Sequence, residues 1–310
     1  MKSEYYLQRH WAETVRLYTG LLDEPDRNEF LKNLADKDVL LACECRATFF
    51  TDDPFLDEYL TRIAVVEAVK FEKAKSSANG LLALAELNQF DEISKIFQSI
   101  PVGSDSYSHN QVVANYIKNG NELQIISFLN VLSQTNVELL GKALDMVLDQ
   151  KIFFSNYSLQ KAIEIAGRLK TDKNLLFAKV VCLFQLKSQI DDPNVIFHEF
   201  LKHKQLKFAE RLISLTSVQV SESIVEYLPN YIKNNGHKQL ISQLLNIFAK
   251  LKINLDDEYI SICLSKSLNP LIKSLSLTFG NASYLSEDLA VKICLVNIDI
   301  GIAIVKRTNG

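Results

Sequence analysis

The chain has 310 residues, 47% of them hydrophobic and 23% charged, with a formal net charge of −3. That balance excludes the strong basic field that a nucleic-acid partner requires. Only 10 glycines and 6 prolines are present, too few to punctuate the hairpins of an all-β protein.

The opening "MKSEYYLQRHWAE" is charged and polar and carries no apolar core of a secretory signal. The longest apolar stretch, residues 289–305, is interrupted by Lys292, Asn297 and Asp299, so no membrane span is expected. The five cysteines (Cys43, Cys45, Cys182, Cys263, Cys294) are scattered and odd in number, and read as reduced, buried thiols of a cytoplasmic protein.

Residues 1–75 read as a short helical bundle. Apolar positions Leu7, Trp11, Val15, Tyr18 and Leu22 recur at three- and four-residue steps, which predicts one amphipathic helix. "DEPDR" (23–27) predicts a turn, with Pro25 starting the next helix. Asp38 is placed to cap "VLLACECRATFF". "TDDPFLDEYL" (51–60) and "IDDPNVIFHEFL" (190–201) share one start signal: an Asp cap with proline at the first helical position. The small and polar run "KAKSSANG" (73–80) predicts a soft boundary.

From residue 76 to 310 the pattern predicts repeated helix pairs. "NYIKN" occurs at 115–119 and again at 230–234. Both copies lead into similar apolar-periodic segments, with Gln124/Gln239, Ile126/Ile241, Ser127/Ser242 and Leu129/Leu244 identical. Asn119-Gly120 and Asn235-Gly236 precede those segments and predict left-handed helix ends. "HKQL" recurs 34 residues apart, at 203 and 237. Segments 81–100, 162–184 and 289–307 share a plan of helix, polar turn, helix, although the last is β-branched enough to suit a hairpin. A period near 34 with two helices per unit is the mark of a tetratricopeptide-like α-solenoid. Turns near 88, 120, 172, 203, 236 and 298 are irregularly spaced, so the expected fold is all-α: a degenerate array of stacked helix pairs behind a short helical bundle.

No catalytic signature is present. His198 and His203 are five apart and diverge on a helix, and Cys43 and Cys45, two apart, diverge likewise, so neither pair makes a metal site. The Asp pairs at 52–53, 191–192 and 256–257 precede predicted helices and read as caps. "KHKQLK" (202–207) reads as a solvated helix end. No phosphate-cradling or nucleophile-elbow motif occurs, and no cofactor is expected. The candidate protein-binding face consists of Tyr116 and Lys118 with their equivalents Tyr231 and Lys233; the tyrosines either sit on that face or pack between units.

The first block also carries a resemblance. "HWAETVRLYTGLL" (10–22) followed by "FLKNLADKDVLLACEC" (30–45) resembles the helical segment that follows the NTPase core in NACHT-type STAND NTPases. The matching residues are Trp11, Glu13, Gly20, Leu21, Leu22, Leu41, Ala42 and Cys43. The resemblance implies a helical-repeat region that senses a protein ligand and controls an upstream switch, in bacteria a role in defence signalling. The chain departs from the family in having no G-x-x-x-x-G-K-[ST] loop. Three readings follow: a non-catalytic sensor region of such a protein, a stand-alone tetratricopeptide-like adaptor, and a helical enzyme with a site assembled from scattered residues.

Overall fold

The computed structural model describes residues 2–49, 53–101, 107–152, 154–155, 158–170 and 175–216. Among the described residues there are thirteen α-helices, a short 3-10 helix at Lys187–Gln189 and no strand. The chain divides into two compact units, Met1–Asp172 and Lys173–Gly310. The second "NYIKN", Tyr231, Lys233, the second "HKQL" and residues 289–307 lie outside the described residues.

In the first unit the helices are α1 (Lys2–Leu21), α2 (Glu24–Ala35), α3 (Val39–Arg46), α4 (Pro54–Ala68), α5 (Ala74–Glu86), α6 (Phe90–Gln98), α7 (Tyr107–Asn119), α8 (Glu122–Thr135), α9 (Val137–Asp149) and α10 (Leu159–Leu169). Local chemistry sets their starts. Asp23, Asp38 and Asp53 accept hydrogen bonds from the amides of Asp26, Leu41 and Leu56 at 3.2, 3.1 and 2.9 Å. Asn121 and Gln124 form a reciprocal capping box on α8, with bonds of 3.0 and 2.8 Å. Asn136 ends α8 and caps α9 through the Leu139 amide at 3.1 Å, so one residue makes that whole connection. Each such cap contributes about 1 kcal/mol.

Alternate helices stack. α3, α5, α7 and α9 pack in succession, and α6, α8 and α10 form a second row. α5, α7 and α9 start at 74, 107 and 137, steps of 33 and 30; α6, α8 and α10 start at 90, 122 and 159, steps of 32 and 37. The packing unit is therefore more regular than the sequence spacing suggests. The discrepancy arises between residues 120 and 172. That interval holds the connections α8–α9 and α9–α10, and segment 162–184 carries a helix on each side of its polar stretch, the first ending in the first unit and the second belonging to the second.

The core of the first unit centres on Phe128 of α8. Its ring meets Phe97 of α6 edge-on at 5.3 Å and stacks on Tyr116 of α7 at 4.2 Å. All three side chains are fully buried.

Two sequence expectations need correction here. The boundary expected at 73–80 is instead the first half of α5, and α4 and α5 make the most extensive pairing among the described helices. Its small residues serve close approach: a Cβ on Gly80 would lie 2.4 Å from the Ala68 backbone nitrogen and 2.7 Å from the Ala64 carbonyl. Residues 1–75 and the helices after them thus belong to one packed unit. The second correction concerns left-handed turns. Among the described residues the positive-φ positions are Asn88, Lys151, Gln185 and Lys204, and neither Asn119 nor Gly120 is one of them. Gly120 is needed for space, since a Cβ there would lie 3.0 Å from the Tyr116 carbonyl oxygen.

At each of the four left-handed residues the following amide reaches back across the helix end: Gln89 to Leu84, Ile152 to Val147, Leu186 to Val181 and Gln205 to Phe200, at 2.8 to 3.3 Å. That reach-back is the Schellman closure. The turns at 88 and 203 fall where the sequence places them.

α1 is the helix that the apolar spacing predicts, but its apolar residues are only partly covered. Val15 and Leu22 are partly covered, but Trp11, Leu17, Tyr18 and Leu21 are exposed by 67, 69, 50 and 84%. Tyr18 rests its ring edge against Phe30 of α2 at 5.2 Å.

In the second unit, α11 (Leu175–Leu183), α12 (Pro193–Lys202) and α13 (Leu206–Leu215) pack on one another. Asp192 caps α12 through the Asn194 amide at 2.8 Å. Phe200 and Phe208 stack at 5.5 Å. The Arg211 guanidinium donates to the carbonyls of Cys182 and Leu183 at 3.3 and 3.2 Å, satisfying the C-terminal end of α11.

Candidate functional site

Tyr116 and Lys118 lie two residues apart on α7, about 200° around the helix, so both cannot face outward. Tyr116 is fully buried; its hydroxyl donates to the Gln124 carbonyl at 3.3 Å. It belongs to the packing between helices and not to an exposed face. Lys118 is exposed near the end of α7. Tyr231 and Lys233 lie outside the described residues.

Polar ties between successive helices run through the first unit. Gln124 of α8 donates to Glu86 of α5 at 2.8 Å. Lys161 of α10 donates to Ser127 of α8 at 2.7 Å, 34 positions earlier, and Arg168 donates to Asn130. Glu122 accepts from the amide and hydroxyl of Ser155 and from the hydroxyl of Ser158, at 2.6 to 2.7 Å. These hydrogen bonds hold the Glu122 carboxyl below the ordinary carboxylate range. Glu86 is shifted the other way: burial pushes it up, and the charge of Glu44 adds to this. Glu44 itself is ion-paired with Arg16 of α1. Glu86 and Gln124 together tie α5 to α8.

The remaining candidates resolve into packing and helix ends. Cys43, Cys45 and Cys182 are buried free thiols, and burial pushes Cys182 up to about 12. The Cys182 thiol donates to the Phe208 carbonyl at 3.4 Å. His203 lies 2.8 Å from the Glu199 carboxylate, one turn earlier, and Lys202 lies 3.7 Å from it. Lys204 supplies the left-handed turn, so the basic stretch 202–207 spans the end of α12 and the start of α13. Among the described residues no three His, Cys, Asp or Glu side chains are grouped to hold a metal, and no helix is long and apolar enough to cross a membrane.

One cleft was not singled out by the sequence pattern. It is shallow and half open, with room for only about 10 Å³, roughly one water, and is lined by Glu24, Arg27, Asn28, Leu31, Arg46, Phe49, Asp53 and Leu56. Arg46 donates twice to Asp57, at 2.7 and 3.0 Å, and once to the Phe49 carbonyl at 3.2 Å. Asp53 accepts from Asn28 at 2.5 Å while capping α4. The guanidinium carbon of Arg27 lies over the Phe49 ring, 4.3 Å from its centre. The only hint in the sequence is that a capping Asp precedes α4 seven residues after Arg46.

Comparison with protein-family models, curated proteins and solved structures finds no match in any of the three.

Proposed function

We propose that this chain is a non-catalytic, tetratricopeptide-like helical-repeat region that binds a protein or peptide, serving as the ligand-sensing part of a NACHT-type STAND signalling system. The observation that carries the repeat reading is the two-row stacking of α5 to α10, with polar ties such as Lys161–Ser127 spaced one unit apart. Stacked pairs of this kind present a continuous side to solvent, which suits an extended protein ligand. Lys118 contributes to that side in this reading. The signalling assignment is supported by the resemblance of residues 10–45 to the post-NTPase segment of NACHT proteins. No cofactor enters.

The full chain, immobilised and offered soluble proteins of its source cell, is expected to retain a partner saturably, with weaker retention for Lys118→Glu. Retention that ignores K118E rejects the α7 surface. Turnover of a small molecule without any protein partner rejects the reading. A captured P-loop NTPase supports the sensor role. Partners without any NTPase support the stand-alone adaptor.

A further inference from the structure

From the outward side of α4 we infer that this helix docks on a second copy of the chain, antiparallel to that copy's α4, as a two-fold homodimer contact. α4 packs on α2, α3 and α5, and its buried residues Leu56, Leu60, Ala64 and Ala68 recur every fourth position. A surface helix ordinarily turns a polar side to water opposite such a stripe. α4 instead carries Phe55, Tyr59, Arg62, Val66 and Val69 there, spaced four, three, four and three apart. That is the heptad spacing of a two-helix seam. Phe55, Val66 and Val69 are exposed by 82, 50 and 47%.

Charge and area name the occupant. Glu58 flanks the seam one turn before Arg62, a spacing at which the two would ordinarily pair within the helix. Neither is ion-paired among the described residues, and the Arg62 guanidinium lies over the Tyr59 ring instead, 5.5 Å from its centre. A two-fold axis at the level of residue 60 sets Glu58 of each copy beside Arg62 of the other, and Phe55 beside Val66. One strip of surface thus supplies both members of each ion pair and is its own complement. α4 has 15 residues and is about 22 Å long. Laid along its copy, it covers on the order of 500 Å² on each chain, about 1,000 Å² in all, the floor for a specific interface. The dimer is therefore a weak one. It goes beyond the proposed protein-binding role and does not depend on it.

The experiment is sedimentation velocity on the full chain, from about 1 µM to about 1 mM. The mass is expected to rise from one chain towards two as concentration increases. A single-chain mass throughout overturns the contact. Val66→Asp should hold the chain as a monomer over the whole range. Glu58→Arg and Arg62→Glu should each weaken the dimer about tenfold, because each breaks two symmetry-related pairs at once. Both changes in one chain should restore it, since the exchanged charges meet again across the axis. The exchange carries the test by itself where V66D lowers the thermal transition. A dimer indifferent to V66D and to both reversals lies elsewhere on the surface and overturns the inference. Reversals that weaken the dimer without mutual rescue overturn the antiparallel register. A chain that stays monomeric yet retains a protein of its source cell, lost in V66D, gives this side to that protein and overturns the dimer.

Discussion

The ring of Tyr116 lies on that of Phe128 at 4.2 Å and 30°, joining α7 to α8 at the centre of the first unit. Phe128 also touches Phe97 of α6, so it ties both rows of helices together. Phe128→Ala is expected to cost about 3–5 kcal/mol, because the cavity cannot close between two rings. Tyr116→Phe keeps the stack and loses only the hydroxyl bond to Gln124, at about 1 kcal/mol. Urea denaturation of the two variants checks the ratio; equal losses would mean that the stack is not where the stability lies.

Gly80 and Gly167 are both helical, yet opposite effects are expected from the same substitution. Gly80→Ala drives a Cβ into the backbone of α4 and should destabilise by about 1–3 kcal/mol. Gly167→Ala meets nothing within 4 Å and should stabilise α10 by about 0.5–1 kcal/mol. Thermal melts of the two single variants test the sign of each.

Glu86 and Glu122 respond to pH in opposite directions. The folded chain raises Glu86, so it binds a proton more tightly than the unfolded chain does. Its contribution is fully present below the unfolded carboxylate pKa and lost as pH rises through the folded value. Glu86→Gln should therefore stabilise at neutral pH, with the gain shrinking in acid. Glu122 is lowered, so its contribution is present above the unfolded pKa and lost as pH falls through the folded one. Glu122→Gln should lose stability at neutral pH and match the parent in acid. Melting temperatures across the acidic range check both signs.

Arg46 is nearly buried, with its side chain 9% exposed, while its partner Asp57 is 36% exposed. Asp57→Ala removes both of the charge-assisted bonds that this carboxylate accepts from the guanidinium. A loss of about 2 kcal/mol is expected, below that of a fully buried pair because water reaches the Asp57 side. Asp57→Asn should recover part of it. The comparison is made by chemical denaturation.

The caps were legible because they are local: Asp38, Asp53 and Asp192 each bond an amide two or three residues ahead, and a short window of sequence contains both partners. The turn at Lys151 was not legible. A left-handed lysine carries no mark that separates it from a helical one, and missing it makes the interval 120–172 look irregular. "KAKSSANG" misleads for a different reason: small residues serve both linkers and close helix crossings, and only the partner, Ala64 and Ala68 here, distinguishes them. The recurrence of Tyr116 in "NYIKN" gives its importance but not its direction, because one helical residue more or less turns the side chain by about 100°. The Arg27 cleft gathers residues from three helices and the segment after α3, a grouping that no local pattern contains.

In the first unit a helix of either row touches chiefly its sequence neighbours and the helix two places away. Interior members are clasped from both sides, whereas a terminal one is gripped from a single side. Amide protons should therefore exchange fastest at the margins and slowest around Phe128, a gradient of protection running along the stack instead of one shared opening.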